Sequence, residues 1–137
     1  MSFLNKFKSM TTSVSLLVVF PTVPTVPGSF CTQSNPDFQE LRYKENIPIC
    51  ERNVSSARKD KICLRDGIKN RKEFTVDHMI PLFAGGSNAD DNLWCQHKSI
   101  NSADYELEVY KKLSAGDLTR DEAVSLIKKY KFQGRVR

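Results

Sequence analysis

Histidine is scarce in this chain of 137 residues, which contains only His78 and His97. Four cysteines are present, but none are spaced as Cys-x-x-Cys, which argues against a zinc ribbon. The apolar run at residues 15–20 is too short to span a bilayer as a helix. No base-reading helix or aromatic stacking platform is evident, so contacts with nucleic acid would be mostly with its backbone and weakly sequence-specific.

The first 28 residues differ in composition from the rest, and the length allows one domain with a modest core. Lys6 and Lys8 precede the apolar run, and three prolines follow it at positions 21, 24 and 27. This pattern is typical of a secretory signal peptide, so residues 1–28 predict export to the periplasm or outside the cell. A disordered tail is the alternative, and no Ala-x-Ala fixes the cleavage point.

All four cysteines follow this leader, and an even number suits an oxidising compartment. Three pairings can be drawn. We favour Cys31 with Cys50, which would tie the N-terminal arm to the next segment, and Cys63 with Cys95 across the fold. Loss of the leader leaves nineteen basic and sixteen acidic residues, a mild net charge of +3.

Helical signals flank the middle of the chain. Ser55 or Ser56 is expected to cap a short charged helix, Gly116 to stop a second, and residues 119–122 to form the capping box of a third. In the second helix we expect a buried face made by Ala103, Leu107, Tyr110 and Leu113. Its expected exposed residues are Glu106, Glu108, Lys111 and Lys112. The tail from residue 128 is strongly basic.

Both histidines lie within residues 74–101, where Asp77 and His78 interrupt an apolar stretch expected to form a strand over residues 73–82. A carboxylate is a hard oxygen ligand for Mg²⁺, and an imidazole can take a proton from water near neutral pH. Pro81 and the turn at residues 85–88 predict a loop, then a short return strand, then a helix from about residue 100.

The sequences DHMIPL at 77–82, GGSN at 85–88 and NLW at 92–94 resemble the HNH nuclease motif, a ββα-metal fold. The resemblance implies an α+β protein with a ββα-metal core and flanking helices. Its parts would be an N-terminal arm, tied by a disulfide, with a short helix at 29–72, the core at 73–115, and a C-terminal helix and basic tail at 116–137.

By this resemblance His78 is the general base, Asp77 binds a single divalent metal, and Asn92 braces the loop that holds the histidine. The second metal ligand would be Asn101, at the family's spacing, with His97 as the runner-up or as a contact to the scissile phosphate. Helix capping is an equal alternative for Asn101. The metal would be Mg²⁺, with Mn²⁺, Zn²⁺ or Ni²⁺ as alternatives.

The function so implied is that of a monomeric, metal-dependent endonuclease that cuts DNA, with RNA as a second substrate, and has no membrane contact in its mature form. Arg52, Arg71 and Lys98 would contact phosphates, although solvated surface charges are the ordinary alternative. An immunity or inhibitor protein stays an open question. Two other readings are a catalytically inactive HNH-fold module that binds nucleic acid or protein, and a small secreted disulfide scaffold acting as a toxin or inhibitor.

Overall fold

The structure is a computed structural model that describes residues 20–136. This part of the chain forms an α+β fold of two small antiparallel sheets and three helices, which confirms the predicted class. The leader predicted at residues 1–28 lies mostly outside the described residues. In chain order the elements are β1 (Phe38–Arg42), β2 (Ile47–Cys50), α1 (Ser56–Arg65), β3 (Phe74–His78), β4 (Leu93–His97), α2 (Ala103–Ala115) and α3 (Arg120–Lys131).

The helix ends follow from local sequence, as predicted. Ser55 caps α1 by accepting a hydrogen bond from the Arg58 backbone N–H at 3.2 Å. Gly116 adopts a left-handed φ of 80° and ends α2. Thr119 and Glu122 form a reciprocal capping box at the start of α3.

Strands β3 and β4 pair antiparallel, with Asp77 opposite Trp94 and His78 opposite Leu93. The predicted strand at 73–82 is shorter than expected, because β3 ends at His78 and a 3₁₀ turn occupies Leu82–Ala84. A second 3₁₀ turn, Asp90–Asn92, leads directly into β4. His78 is therefore the last residue of β3, directly before the loop that leads to β4.

Two disulfides fix the sheets to the rest of the fold, in the favoured pairing. Cys31 is bonded to Cys50 at the end of β2, and Cys63 of α1 is bonded to Cys95 of β4. The second bond lies in a small core with Ile62, Val76 and Leu93. Two disulfides are compatible with an extracellular protein. No helix within residues 20–136 has the length and apolar character needed to cross a membrane.

The larger core lies between β2, the Leu82–Ala84 turn, α2 and α3. Here the predicted face of α2 was wrong: Leu107 is 50% exposed and Tyr110 is 39% exposed, whereas Val109 is buried with Leu113. The helix packs chiefly against α3 rather than against the β3–β4 hairpin. This packing rotates the buried stripe, so that Glu106, predicted to be exposed, turns inward.

The segment before β1 lies along the domain surface. Pro24 is buried, and the Gly28 backbone N–H donates to the Asp91 carbonyl at 2.9 Å. The Ser29 hydroxyl donates to the Asp91 carboxylate at 2.5 Å. These contacts anchor the arm beside the loop that joins β3 to β4.

Candidate active site

The loop between β3 and β4 is held from within by Asn92, which is fully buried. Its amide oxygen accepts from the Ile80 backbone N–H at 2.9 Å, and its amide nitrogen donates to the carbonyls of Ile80 at 3.0 Å and Ser87 at 2.8 Å. The side chain thus replaces the sheet hydrogen bonds that end at His78. This is the bracing contact expected of Asn92, while its part in catalysis stays a prediction.

The same loop closes too tightly for a side chain at Gly86. A Cβ there would lie 1.8 Å from the Ile80 carbonyl oxygen, well inside van der Waals contact. From outside, Arg58 of α1 donates to the Asn88 carbonyl at 2.6 Å and to the Asp90 carboxylate at 2.8 Å. The loop is therefore rigidly placed relative to both α1 and the end of β3.

Asn88 fixes the tautomer of His78. The Asn88 amide nitrogen donates to the Asp37 carboxylate at 2.9 Å and to the Glu51 carbonyl at 2.7 Å, and neither group can donate in return. The amide oxygen must then face His78 Nε2, at 2.9 Å. Because an amide oxygen only accepts, the neutral His78 carries its proton on Nε2 and leaves Nδ1 as the basic nitrogen.

His78 is mostly buried, at 5% exposure, and it lines an open cleft. The Nδ1 atom is its second ring nitrogen. It has no hydrogen-bond partner within residues 20–136, and Gln96 Nε2 is the one side-chain nitrogen or oxygen in that part that is both buried and unpaired. Burial lowers the pKa of His78 below 6.5, because it penalises the imidazolium; the Asn88 hydrogen bond opposes this in part. A neutral imidazole with one free basic nitrogen can accept a proton from water.

An open cleft of about 290 Å³ lies beside this histidine. Its lining combines four ionisable side chains with apolar ones; they are Arg52, Val76, Asp77, His78, Pro81, Leu82, Phe83 and Glu106. Arg52 is exposed and is close enough for its charge to lower the pKa of His78 further. The cleft thus places a cationic group and a base side by side, which suits an anionic substrate.

Asp77 accepts hydrogen bonds from one neutral and one cationic donor. Its Oδ2 accepts from Trp94 Nε1 at 2.9 Å and from Lys131 Nζ at 2.8 Å. Trp94 is fully buried, as expected of a core residue. Lys131 belongs to the basic tail, but its side chain is only 1% exposed.

Glu106 completes this charge cluster from α2. Its carboxylate lies 2.9 Å from Lys131 Nζ, so the Asp77 and Glu106 carboxylates flank one ammonium. Burial raises the pKa of Glu106, although the charge of Lys131 acts against that rise. Sequence reasoning placed Glu106 on the exposed face. The sequence did contain a signal that Lys131 would be buried and would need an acidic partner. Lys131 lies four residues after the buried Ile127 and therefore continues its face of α3.

Asn101 and His97, the two candidates for a second metal ligand, are occupied elsewhere. The Asn101 amide oxygen accepts from the Ala103 backbone N–H at 3.1 Å, but the N-cap position of α2 is held by Ser102 and not by Asn101. His97 pairs with Phe74 at the far end of the hairpin. It lies three residues after Trp94, the partner of Asp77, and hence about 10 Å farther along the strand. Its Nδ1 lies 2.7 Å from the Ser99 hydroxyl. The structure does not bring His97 to Asp77.

The residues around Asp77 do not fit a divalent metal in this arrangement. No group of three or more His, Cys, Asp or Glu side chains between residues 20 and 136 is placed to hold one. The oxygens that could serve are already turned to the Lys131 ammonium. A divalent ion on the free oxygens of Asp77 and Glu106 would be repelled by that ammonium, which bonds to the other oxygens of the same two carboxylates.

The three predicted phosphate contacts fall in two places. Arg52 lines the cleft, whereas Arg71 and Lys98 line a separate groove of about 700 Å³ together with Lys69 and Lys72. Arg71 is partly neutralised there by Asp60, at 2.5 Å. The groove is nevertheless predominantly basic and open, so it offers phosphates a second surface.

Comparison of this chain with models of known families, with curated proteins and with solved structures found no match. The resemblance to the HNH motif therefore stays a prediction carried by residues 77–94. The contacts described above are what bear on function.

Proposed function

We propose that this protein is an endonuclease that hydrolyses phosphodiester bonds in DNA, with RNA as a second substrate, and that His78 is its general base. The observation that carries the proposal is the histidine itself. It is neutral, held by Asn88 through Nε2, without a partner for Nδ1 among residues 20–136, and it lines the same cleft as the cationic Arg52. The HNH-like order of residues 77–94 and the hairpin on which they lie support the same proposal.

In the proposed reaction a phosphodiester lies in the cleft with its negative charge facing Arg52. A water oxygen forms a bond to phosphorus while its proton passes to His78 Nδ1. The bond from phosphorus to the departing sugar oxygen breaks on the opposite side, and that oxygen takes a proton from solvent. The rigid loop contributes by keeping the imidazole in one orientation throughout.

The chain offers a matched pair of variants for the test, because its two histidines have different environments. Purified protein is incubated with supercoiled plasmid and, separately, with single-stranded RNA. His78→Ala should lower the cleavage rate by about 10²-fold or more, the usual contribution of a general base. His97→Ala should change it little, because His97 lies at the other end of the hairpin.

Cleavage that survives His78→Ala unchanged would refute the assignment of the base. Absence of cleavage by the wild-type protein on both substrates, with and without added divalent metal, would refute the enzymatic proposal itself.

Export belongs to the same proposal, since two disulfides suit an oxidising compartment. A leader removed before Pro21 would keep the contacts of residues 24–29 with the domain, whereas cleavage after Gly28 would lose the hydrogen bonds of Thr25 and Gly28 and keep those of Ser29.

A second candidate is a noncatalytic nucleic-acid-binding module. The basic groove formed by Lys69, Arg71, Lys72 and Lys98 favours it, because this groove lies apart from the cleft and needs no reaction there. Binding that weakens steeply with salt and is reduced by Lys98→Ala, without cleavage of either substrate, would support this alternative.

A further inference from the structure

Lys131 sits in a cage of oxygen atoms at the end of α3. Its Nζ lies 2.8 Å from Asp77 Oδ2 and 2.9 Å from Glu106 Oε1. It also donates to the backbone carbonyls of His78 at 2.7 Å and Met79 at 3.2 Å. Two carboxylates with two carbonyls form a set of hard oxygen donors, the kind that commonly surrounds a cation in proteins.

The ammonium is suited to stay charged in this position. Burial by itself would lower the pKa of Lys131, but the charges of Asp77 and Glu106 and their hydrogen bonds outweigh it, so the pKa is raised. All three N–H donors have oxygen acceptors within reach. The cation is therefore satisfied without solvent, behind the wall of the cleft.

We infer that Lys131 provides the positive charge that the HNH resemblance assigns to a divalent metal at Asp77, so that this chain binds no divalent cation there and its cleft works without one. The part of this inference that concerns activity rests on the proposed endonuclease function. The part that concerns cation binding stands by itself.

Lys131 and Arg52 have different electrostatic roles at the cleft. Lys131 does not line the cleft, whereas the two carboxylates that it neutralises do. It therefore removes repulsion that an anionic phosphodiester would meet at Asp77 and Glu106. Arg52, exposed in the same cleft, is left to bind the phosphate itself. Lys131 is thus a positioning and charge-compensating residue, since it does not touch the substrate.

The test measures Mn²⁺ binding by electron paramagnetic resonance, using the full chain with its disulfides intact. The wild-type protein should bind no Mn²⁺ through Asp77, so wild type and Asp77→Asn should give the same Mn²⁺ titration. Lys131→Met, of similar length but neutral, should leave two carboxylates facing each other and create Mn²⁺ binding about tenfold or more tighter than any that the wild type shows. Lys129→Met is the matched control, because Lys129 is exposed on the same helix, and it should behave as wild type.

The wild-type measurement decides the inference even if Lys131→Met does not fold. Mn²⁺ binding by the wild type that is lost in Asp77→Asn would overturn it, as would cleavage by the wild type that EDTA abolishes and Mg²⁺ restores. Equal cleavage in EDTA and in Mg²⁺ supports it. If no condition gives cleavage, the proposed function fails while the Mn²⁺ titration still decides whether Lys131 fills the cation position.

Discussion

Replacing Asn92 by alanine should destabilise the protein by about 3 to 5 kcal/mol. The substitution removes a partner of four main-chain groups at once. Three are bonded at 3.0 Å or less, namely the N–H and the carbonyl of Ile80 and the carbonyl of Ser87, and the fourth is the partly buried Ser29 N–H at 3.3 Å. Asn92 is fully buried, so water cannot take over without rearrangement. Each buried group left unpaired costs roughly 1 to 3 kcal/mol, so the three buried groups together cost about 3 to 9 kcal/mol, and partial relaxation of the loop keeps the expected loss in the lower part of that range.

The assay is urea denaturation of the oxidised protein followed by circular dichroism, with cleavage measured where wild type and variant are both folded. Asn101→Ala is the control, because its amide oxygen accepts one backbone N–H at the start of α2 and its loss should cost about 1 kcal/mol or less. Cleavage should fall in Asn92→Ala, since a looser loop holds His78 less firmly. Stability within 1 kcal/mol of wild type would refute the bracing role.

Two further predictions concern His78. Asn88→Ala should lower cleavage by about tenfold or more and let the imidazole populate both neutral tautomers, which ¹⁵N shifts of His78 report; an unchanged Nε2–H tautomer would argue against the role of Asn88. Because burial lowers the pKa of His78 below 6.5, the stability due to the neutral imidazole is complete above pH 6.5 and is lost as pH falls through the lowered pKa. Between about pH 7 and 5, the urea midpoint of His78→Ala should therefore fall less steeply than that of the wild type. The cleavage rate of the wild type should begin to decline only below pH 6.5.

The parts of the fold that the sequence predicted depend on short-range signals. The cap at Ser55, the stop at Gly116 and the capping box at Thr119 each need only residues within four positions. The favoured cysteine pairing was confirmed as well, although three pairings were open. Asp77 and His78 were found together because they are adjacent in sequence, and the strand end that carries them is marked by Pro81.

The rest of the site depends on contacts between residues far apart in sequence. Lys131 is 54 residues from Asp77, and no local pattern relates the two. Glu106 was assigned to the wrong face because the apolar residues of α2 were chosen without knowing that α3 would cover Val109 and Leu113. Asn88 was read as a turn residue, a role that hides the hydrogen bonds of its side chain to Asp37 and Glu51.

Spacing along the chain was a poor guide to the helix-borne ligand for a related reason. Asn101 stands at the family's interval after His78, but an interval counts residues and not the direction of a side chain. Once β4 pairs in register with β3, His97 is carried to the end of the hairpin remote from Asp77, and the Asn101 side chain bonds to the Ala103 backbone N–H at the start of α2. The position near Asp77 is then reached by α3, an element outside the motif.

A buried charge on an otherwise apolar helix face has to be explained by its partners, because an unpaired ammonium in a core would be neutralised or expelled. Lys131 continues the face of Ala123 and Ile127, and its partners are two carboxylates of the candidate site. The same contacts that stabilise the packing of α3 therefore also set the charge of the cleft. The proposal that the cleft works without a metal therefore depends on a residue of the last helix, which lies outside the motif that suggested the metal.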